Sequence, residues 1–194
     1  MSEGPTYYKA LDARGRSCHG GHLTWSLPTW TGRHWVPGTW MPAIPDPVPC
    51  TRGYHAAVGT AGLLHWLHER VYVIESQTAW VTHGTDGKAV TAGPVRLVRG
   101  TAWDERTARL FAVSCAVDVL EIYERAHPGD TRVSDALVTA WEVAHGFADR
   151  ISLGFARDAA WAAAGAAARD SAWAAAREMQ AQRLARYLDG EVDV

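Results

Sequence analysis

The chain reads as an α+β protein, a small β-rich unit with one short helix followed by an antiparallel three-helix bundle. Three observations carry that reading. Seven of the nine prolines fall between Pro28 and Pro94, where glycines are also frequent. The run Val71-Tyr72-Val73-Ile74-Glu75 is β-branched and aromatic, the pattern of a buried central strand. After residue 100 proline occurs once, at Pro128, and alanine dominates. Residues 1–100 are therefore expected to form the β-rich domain and residues 104–190 the helical one.

In the first half, strands are expected over 7–12, 71–75 with a short extension, and 95–99. A helix over 61–69 is predicted from Leu63, Leu64 and Leu67 facing inward, with Thr60 as its cap. His65 and His68, three apart on that helix, read as a solvent-facing pair. The string His83-Gly84-Thr85-Asp86-Gly87-Lys88 reads as a turn, with Asp86-Gly87 as the hairpin signal. In the second half, the apolar stripe Leu110, Val113, Val117, Leu120, Ile122 and Tyr123 predicts a helix over 105–126 after an Asp104 cap. The turn His127-Pro128-Gly129-Asp130 ends it. Ser134 is the expected cap of a second helix over 135–145, closed by Gly146. Ser152 is the expected start of a third, running to Leu188 through Gly154 and Gly165. Trp141, Trp161 and Trp173 read as large side chains packed into alanine. Charges at Asp158, Arg169, Asp170, Arg177 and Glu178 read as a solvated face. Alanine-rich faces also suggest self-association as a homo-oligomer.

Charge narrows the partner classes. The net charge is −2. Residues 1–100 carry nine basic and six acidic groups, and the remainder ten and fifteen. Neither half has the basic excess of a phosphate-tracking surface, which argues against a nucleic-acid partner. There is no secretory leader pattern at the start and no apolar run long enough for a bilayer. Three cysteines, Cys18, Cys50 and Cys115, do not make a disulfide framework, so a reducing cytoplasm is the expected setting.

Two lysines stand against seventeen arginines. Ammonium and guanidinium differ in shape, hydration and ease of deprotonation, so Lys9 and Lys88 mark positions where arginine would not serve. The sharpest motif is Cys50-Thr51-Arg52-Gly53-Tyr54-His55-Ala56. Together with Glu75 and Lys88 it points to a polar recess, with His55 as base or donor and Glu75 as an acid or a partner for a ribose hydroxyl. The alternative stays open: His55 satisfies buried backbone groups, and Glu75 pairs with Lys88 or Arg96. Trp25, Trp30, Trp35 and Trp40 recur every five residues, a period of neither helix nor strand. They read first as pegs into the core and second as a stacking surface for a base, sugar or peptide. Cys18, His19, His22, Cys50 and His55 lack the paired spacing of a zinc site, so no metal is expected. No Ser-His-Asp signature, glycine-rich phosphate loop or HExxH is present in the sequence, which argues against an enzyme and for no cofactor.

The residues carry three resemblances. Tyr8-Lys9-Ala10-Leu11, the tryptophan ribbon, Cys50-x-x-Gly53-Tyr54-His55-Ala56, Val73-x-Glu75 and Lys88 resemble an uncharacterised DUF7666-like domain of phage and prophage proteins, over residues 6–100. Lys9, Cys50, Gly53, His55, Glu75 and Lys88 are its motif positions. Arg109-Leu110-Phe111-Ala112, Cys115-Ala116, Leu120, Pro128-x-Asp130-x-Arg132 and the alanine-rich third helix resemble the helical domain of Imm-5-like immunity proteins, over residues 104–188. Gly53-Tyr54-His55-Ala56 followed by a helix and the strand 71–75 is similar, more distantly, to ADP-ribosyltransferases, with Lys9 where those have arginine or histidine. The first two resemblances imply a phage or mobile-element accessory protein that acts by binding a host protein or a small nucleotide-like ligand, in a counter-defence role. The third implies an NAD-using enzyme with Lys9, Tyr54, His55 and Glu75 in its site. A structural or assembly module is the remaining alternative. The ligand-binding candidates are Lys9, Tyr54, His55, Glu75, Lys88 and the four tryptophans of the ribbon.

Overall fold

A computed structural model describes residues 4–148 and 173–192. The expected cap Ser152, the glycines Gly154 and Gly165, Trp161 and the charges Asp158, Arg169 and Asp170 lie outside the described residues. The chain is α+β and divides into two units, one of residues 1–104 with 184–190 and one of residues 105–183 with 191–194.

The first unit is built on a six-stranded sheet in the order β6-β7-β4-β1-β5-β8, every pairing antiparallel. Its strands are β1 (Tyr7–Leu11), β4 (Tyr54–Val58), β5 (Arg70–Ser76), β6 (Val81–His83), β7 (Lys88–Thr91) and β8 (Val95–Gly100). The run at 71–75 is interior, flanked by β1 and β8, as its composition demands. Asp86-Gly87 turns β6 into β7, with Gly87 at φ +65°. The core is Leu11, Trp25, Tyr54, Ala56, Ile74, Val95 and Leu97, joined by Tyr7 and Trp80, whose rings stack at 4.9 Å.

The tryptophan ribbon has a structural task. Its short strands β2 (Thr29–Trp30) and β3 (Trp35–Val36) pair with each other. Beyond them, the Gly38 N–H donates to the Leu97 carbonyl and the Met41 N–H to the Val95 carbonyl. The ribbon thereby covers the otherwise free edge of β8, where unpaired backbone groups would invite other strands. Gly100 on that strand is a steric requirement, because a Cβ there would fall 2.9 Å from the Trp35 ring.

The expected helix over 61–69 is shorter and starts earlier: α1 spans Gly59–Leu63, and Thr60 does not cap it. Gly59, at φ +62°, donates its N–H to the Thr6 carbonyl, which sets the entry from β4. The chain then leaves the helix so that strand β5 can begin at Arg70. His65 and His68 consequently share no helix face. His68 sits partly buried with its Nδ1 unpartnered, and its carbonyl accepts the Trp103 indole N–H at 2.8 Å.

In the second unit α2 spans Glu105–Ala126 and α3 spans Arg132–His145, and the Arg106 side chain donates to the Ala144 carbonyl, as an antiparallel hairpin requires. Asp130 fixes the turn between them. Its carboxylate accepts from the Tyr123 hydroxyl, the Arg132 guanidinium and the Arg132 N–H. These bonds hold the Asp130 carboxyl well below its usual range. Ser134 is not the cap; it lies inside the first turn and donates to the Thr131 carbonyl. Gly146 closes α3 in the left-handed region at φ +77°, as expected. The stripe of α2 buries Leu110, Val113 and Tyr123, while Val117 and Ile122 are exposed. Trp141 is likewise part-exposed, its ring tilted against His145 at 4.1 Å.

The last described helix, α4 (Trp173–Leu188), belongs to both units. Arg183 pairs with Asp118 of α2 and donates to the Ser114 carbonyl. Leu184, Tyr187 and Leu188 are buried in the first unit, and the Leu188 carbonyl accepts the Ala102 N–H. A self-contained three-helix bundle is therefore not confirmed. A helix that must serve the sheet with its final turn does not end inside a bundle.

Gly62 and Gly87 touch backbone to backbone: a Cβ on Gly62 would lie 2.6 Å from the Gly87 carbonyl oxygen. Gly87→Ala adds left-handed strain to that clash and is expected to cost about 2–4 kcal/mol. Urea denaturation measures it, and an unchanged midpoint would contradict the close approach.

Candidate functional site

The pairing of β1 with β4 stops after two residue pairs, Tyr7 with Val58 and Tyr8 with Ala57. The other neighbours of these strands, β5 and β7, keep four pairs each. Beyond Tyr8 and Ala57 the two strands part, and a cavity of about 350 Å³ opens there, roofed by the loop around Cys18–Trp25. That volume suits a small ligand.

Lys9 stands at the parting. Its Nζ donates to the His55 carbonyl at 3.0 Å, taking an acceptor that no β1 amide reaches. The ammonium also lies 5.2 Å from the Trp25 ring centroid, a cation–π contact that offsets part of its desolvation. The residue as a whole is only partly covered, but its charged end is enclosed by protein. Desolvation, with the Lys88 charge in addition and Cys18 opposing, lowers its pKa from 10.5 to about 8. An ammonium has three donors, and one of them is used. Among the described residues that line the cavity there is no aspartate or glutamate.

His55 is fixed as an acceptor. Its Nε2 receives the Cys50 N–H at 2.9 Å, which requires a neutral ring protonated at Nδ1. Burial, then Lys9 and Lys88, depress its pKa, so the ring stays neutral in agreement with that bond. Lys88, at the start of β7, is the direct partner of Ala57 and shares a sheet face with His55, two residues away. Its Nζ sits 3.9 Å over the Trp66 ring and 3.6 Å from the Cys50 Sγ. Cys50 adopts φ +61°, uncommon for a residue with a side chain; the turn that aims its N–H at His55 demands it. Cys18 lines the same cavity, and burial raises its thiol pKa.

The structure thus brings Lys9, Tyr54, His55, Lys88 and Trp25 together around one cavity. Tyr54 is buried, its hydroxyl on the Pro42 carbonyl and its ring edge-on to Trp25. Glu75 is elsewhere: on β5 it faces Arg96 and accepts its guanidinium N–H at 2.5 Å, the ion-pair alternative read from the sequence. Trp30 is 53% exposed and packs on Trp35, and Trp40 carries the Arg96 guanidinium at 4.5 Å; none of the three lines the cavity. Sequence reasoning missed Trp66, the aromatic wall under Lys88, because it was assigned to a longer helix. It weighed Cys18 and His19 only as metal ligands, and no three His, Cys, Asp or Glu side chains among the described residues converge to hold a metal ion. The Cys18-His19-Gly20-Gly21 turn was the signal for the cavity roof.

The arrangement can receive a small anion: two ammonium groups, neutral hydrogen-bonding walls and aromatic faces. It has a stability signature. A buried amine whose folded pKa lies below its unfolded value destabilises the fold fully below pH 8, and the penalty fades between about pH 8 and 10.5, where the folded amine has given up its proton while the unfolded chain still holds one. Lys9→Met removes that penalty but leaves the His55 carbonyl without its donor, so the net stabilisation expected at pH 7 is about 1–2 kcal/mol. The difference from wild type should shrink above pH 8. Thermal melts across pH 6.5–10 check this, and parallel curves for the two proteins would refute it.

Comparison with known proteins bears on the second half. Residues 101–187 match the family described as "Imm-5 like putative immunity protein". No curated protein and no solved structure matches the chain significantly. Among the described residues no helix is long and apolar enough to cross a membrane. The second half is thus similar to that family over residues 101–187.

Proposed function

We propose that this protein is a phage or bacterial accessory protein of the immunity kind that acts by binding, and that its first unit holds a small nucleotide-like ligand in the cavity between β1 and β4. The observation that carries the reading is the placement of the lysines. The chain has two, and both line this one cavity with no carboxylate among its described lining residues to neutralise them. A buried cation without a counter-ion is costly, and a ligand's phosphate supplies the missing charge. Trp25 and Trp66 line the cavity beside the two ammonium groups, where a ligand's ring would meet their edges. The resemblance of residues 6–100 to a phage domain supports the same setting. In it the ligand serves either as a sensed signal or as a captured product of host defence. The helical half supplies the surface for a host protein and for self-association.

An NAD-using site had its acid in Glu75, which Arg96 occupies outside the cavity. Binding without turnover is the better fit to these groups.

A thermal-shift screen over mononucleotides and dinucleotides tests the proposal. At saturation one of them is expected to raise Tm by about 5 °C. The shift should vanish in Lys88→Glu and persist in Glu75→Gln. No response to any nucleotide, or a response lost in Glu75→Gln alone, would reject it.

A further inference from the structure

We propose that Lys9 is an imine-forming amine, whose Nζ condenses with a small aldehyde or 2-oxo acid while Lys88 holds that ligand's anionic group. The inference deepens the reading of the cavity as a ligand site and rests on it.

Four features of the geometry support it. The Lys9 Nζ lies against the cavity and spends one bond on the His55 carbonyl at 3.0 Å. That bond orients the nitrogen and, in the neutral amine, leaves the lone pair for a ligand. No carboxylate among the described lining residues holds the amine in its charged form. Desolvation and a second nearby cation, here Lys88, are the two means by which proteins make lysine nucleophilic near neutral pH, and both act on Lys9. Arginine cannot perform this step, because a guanidinium stays protonated. That gives a chemical reason for lysine here in a chain with seventeen arginines. His55 takes no part as acid or base, since its Nε2 is occupied by the Cys50 N–H.

The step balances without an oxidant or reductant. The nitrogen lone pair attacks the carbonyl carbon and the C–N bond forms. The carbonyl oxygen then leaves as water with the two hydrogens of the amine, and a C=N bond remains. The Lys88 ammonium, over the Trp66 ring at 3.9 Å, pairs with the carboxylate or phosphate of the bound molecule.

The test is reductive trapping with cyanoborohydride on the full chain. The probes are glyoxylate, pyridoxal 5′-phosphate and uncharged benzaldehyde, read by intact mass and peptide mapping. With two lysines in the chain, the map has few amines to separate. Lys9 is expected to label about tenfold faster than Lys88, and Lys88→Met to slow the reaction of Lys9 with the anionic probes about tenfold while sparing benzaldehyde. The glyoxylate and pyridoxal phosphate arms separate a carboxylate-bearing from a phosphate-bearing ligand. Lys9→Arg should abolish the fast adduct; should that variant fail to fold, the wild-type map decides alone. Equal labelling of all amines, or rates indifferent to the probe's charge, overturns the proposal. Nucleotide stabilisation with no Lys9 adduct overturns the imine while leaving the binding reading standing. A Lys9 adduct in a protein that ignores nucleotides supports the imine and rejects the nucleotide.

Discussion

The bond from Lys9 to the His55 carbonyl is the constraint on which the first unit's cavity depends. A β-sheet normally closes each carbonyl with a neighbouring amide. Here the ladder between β1 and β4 ends after Tyr8 and Ala57, and an ammonium stands in for the amide at 3.0 Å. A side chain reaches farther than a backbone N–H, so the strands part without leaving the acceptor unsatisfied. The gap between them becomes the cavity. The same substitution brings a charge into a desolvated place, which is why the cavity is cationic and why its occupant should be an anion.

The surrounding elements follow from keeping that gap open and the rest of the sheet closed. β5 and β7 hold the outer sides of the parted strands through full ladders. The tryptophan ribbon seals the β8 edge, and the left-handed Cys50 turns its amide onto His55, fixing the imidazole as a neutral acceptor. The helical half is organised on separate terms. Asp130, bonded to Tyr123 and Arg132, sets the turn of the α2–α3 hairpin. These residues fall within the part of the chain that matches immunity proteins.

Much of this was legible in the residues. The β-branched run at 71–75, the Asp86-Gly87 turn and the limits of α2 followed from local preference, because those segments obey one rule each. The scarcity of lysine pointed at Lys9 and Lys88 before any coordinate did. What could not be read was long-range pairing. Tyr54-His55-Ala56-Ala57-Val58 has two alanines and a histidine, and only its partners β1 and β7 make it a strand. Glu75 read as a site residue because it ends the strand that follows the Cys50–Ala56 motif; its register opposite Arg96 places it outside the cavity lining. Ser134 had the chemistry of a cap, but Asp130 and Thr131, just upstream, start the helix one turn earlier. Trp66 was hidden by a helix that ends at Leu63 because the next strand has to begin.

The account turns on a largely desolvated, uncompensated ammonium at Lys9. A heteronuclear NMR titration of the lysine side chains reads it directly, and with two lysines in the chain the assignment needs one variant. Lys9 should titrate near 8, displaced from 10.5, and move upward when a phosphate-bearing ligand is added. A Lys9 that titrates at 10.5 and ignores such ligands would mean that its ammonium is solvated and that the gap between β1 and β4 is not a binding site.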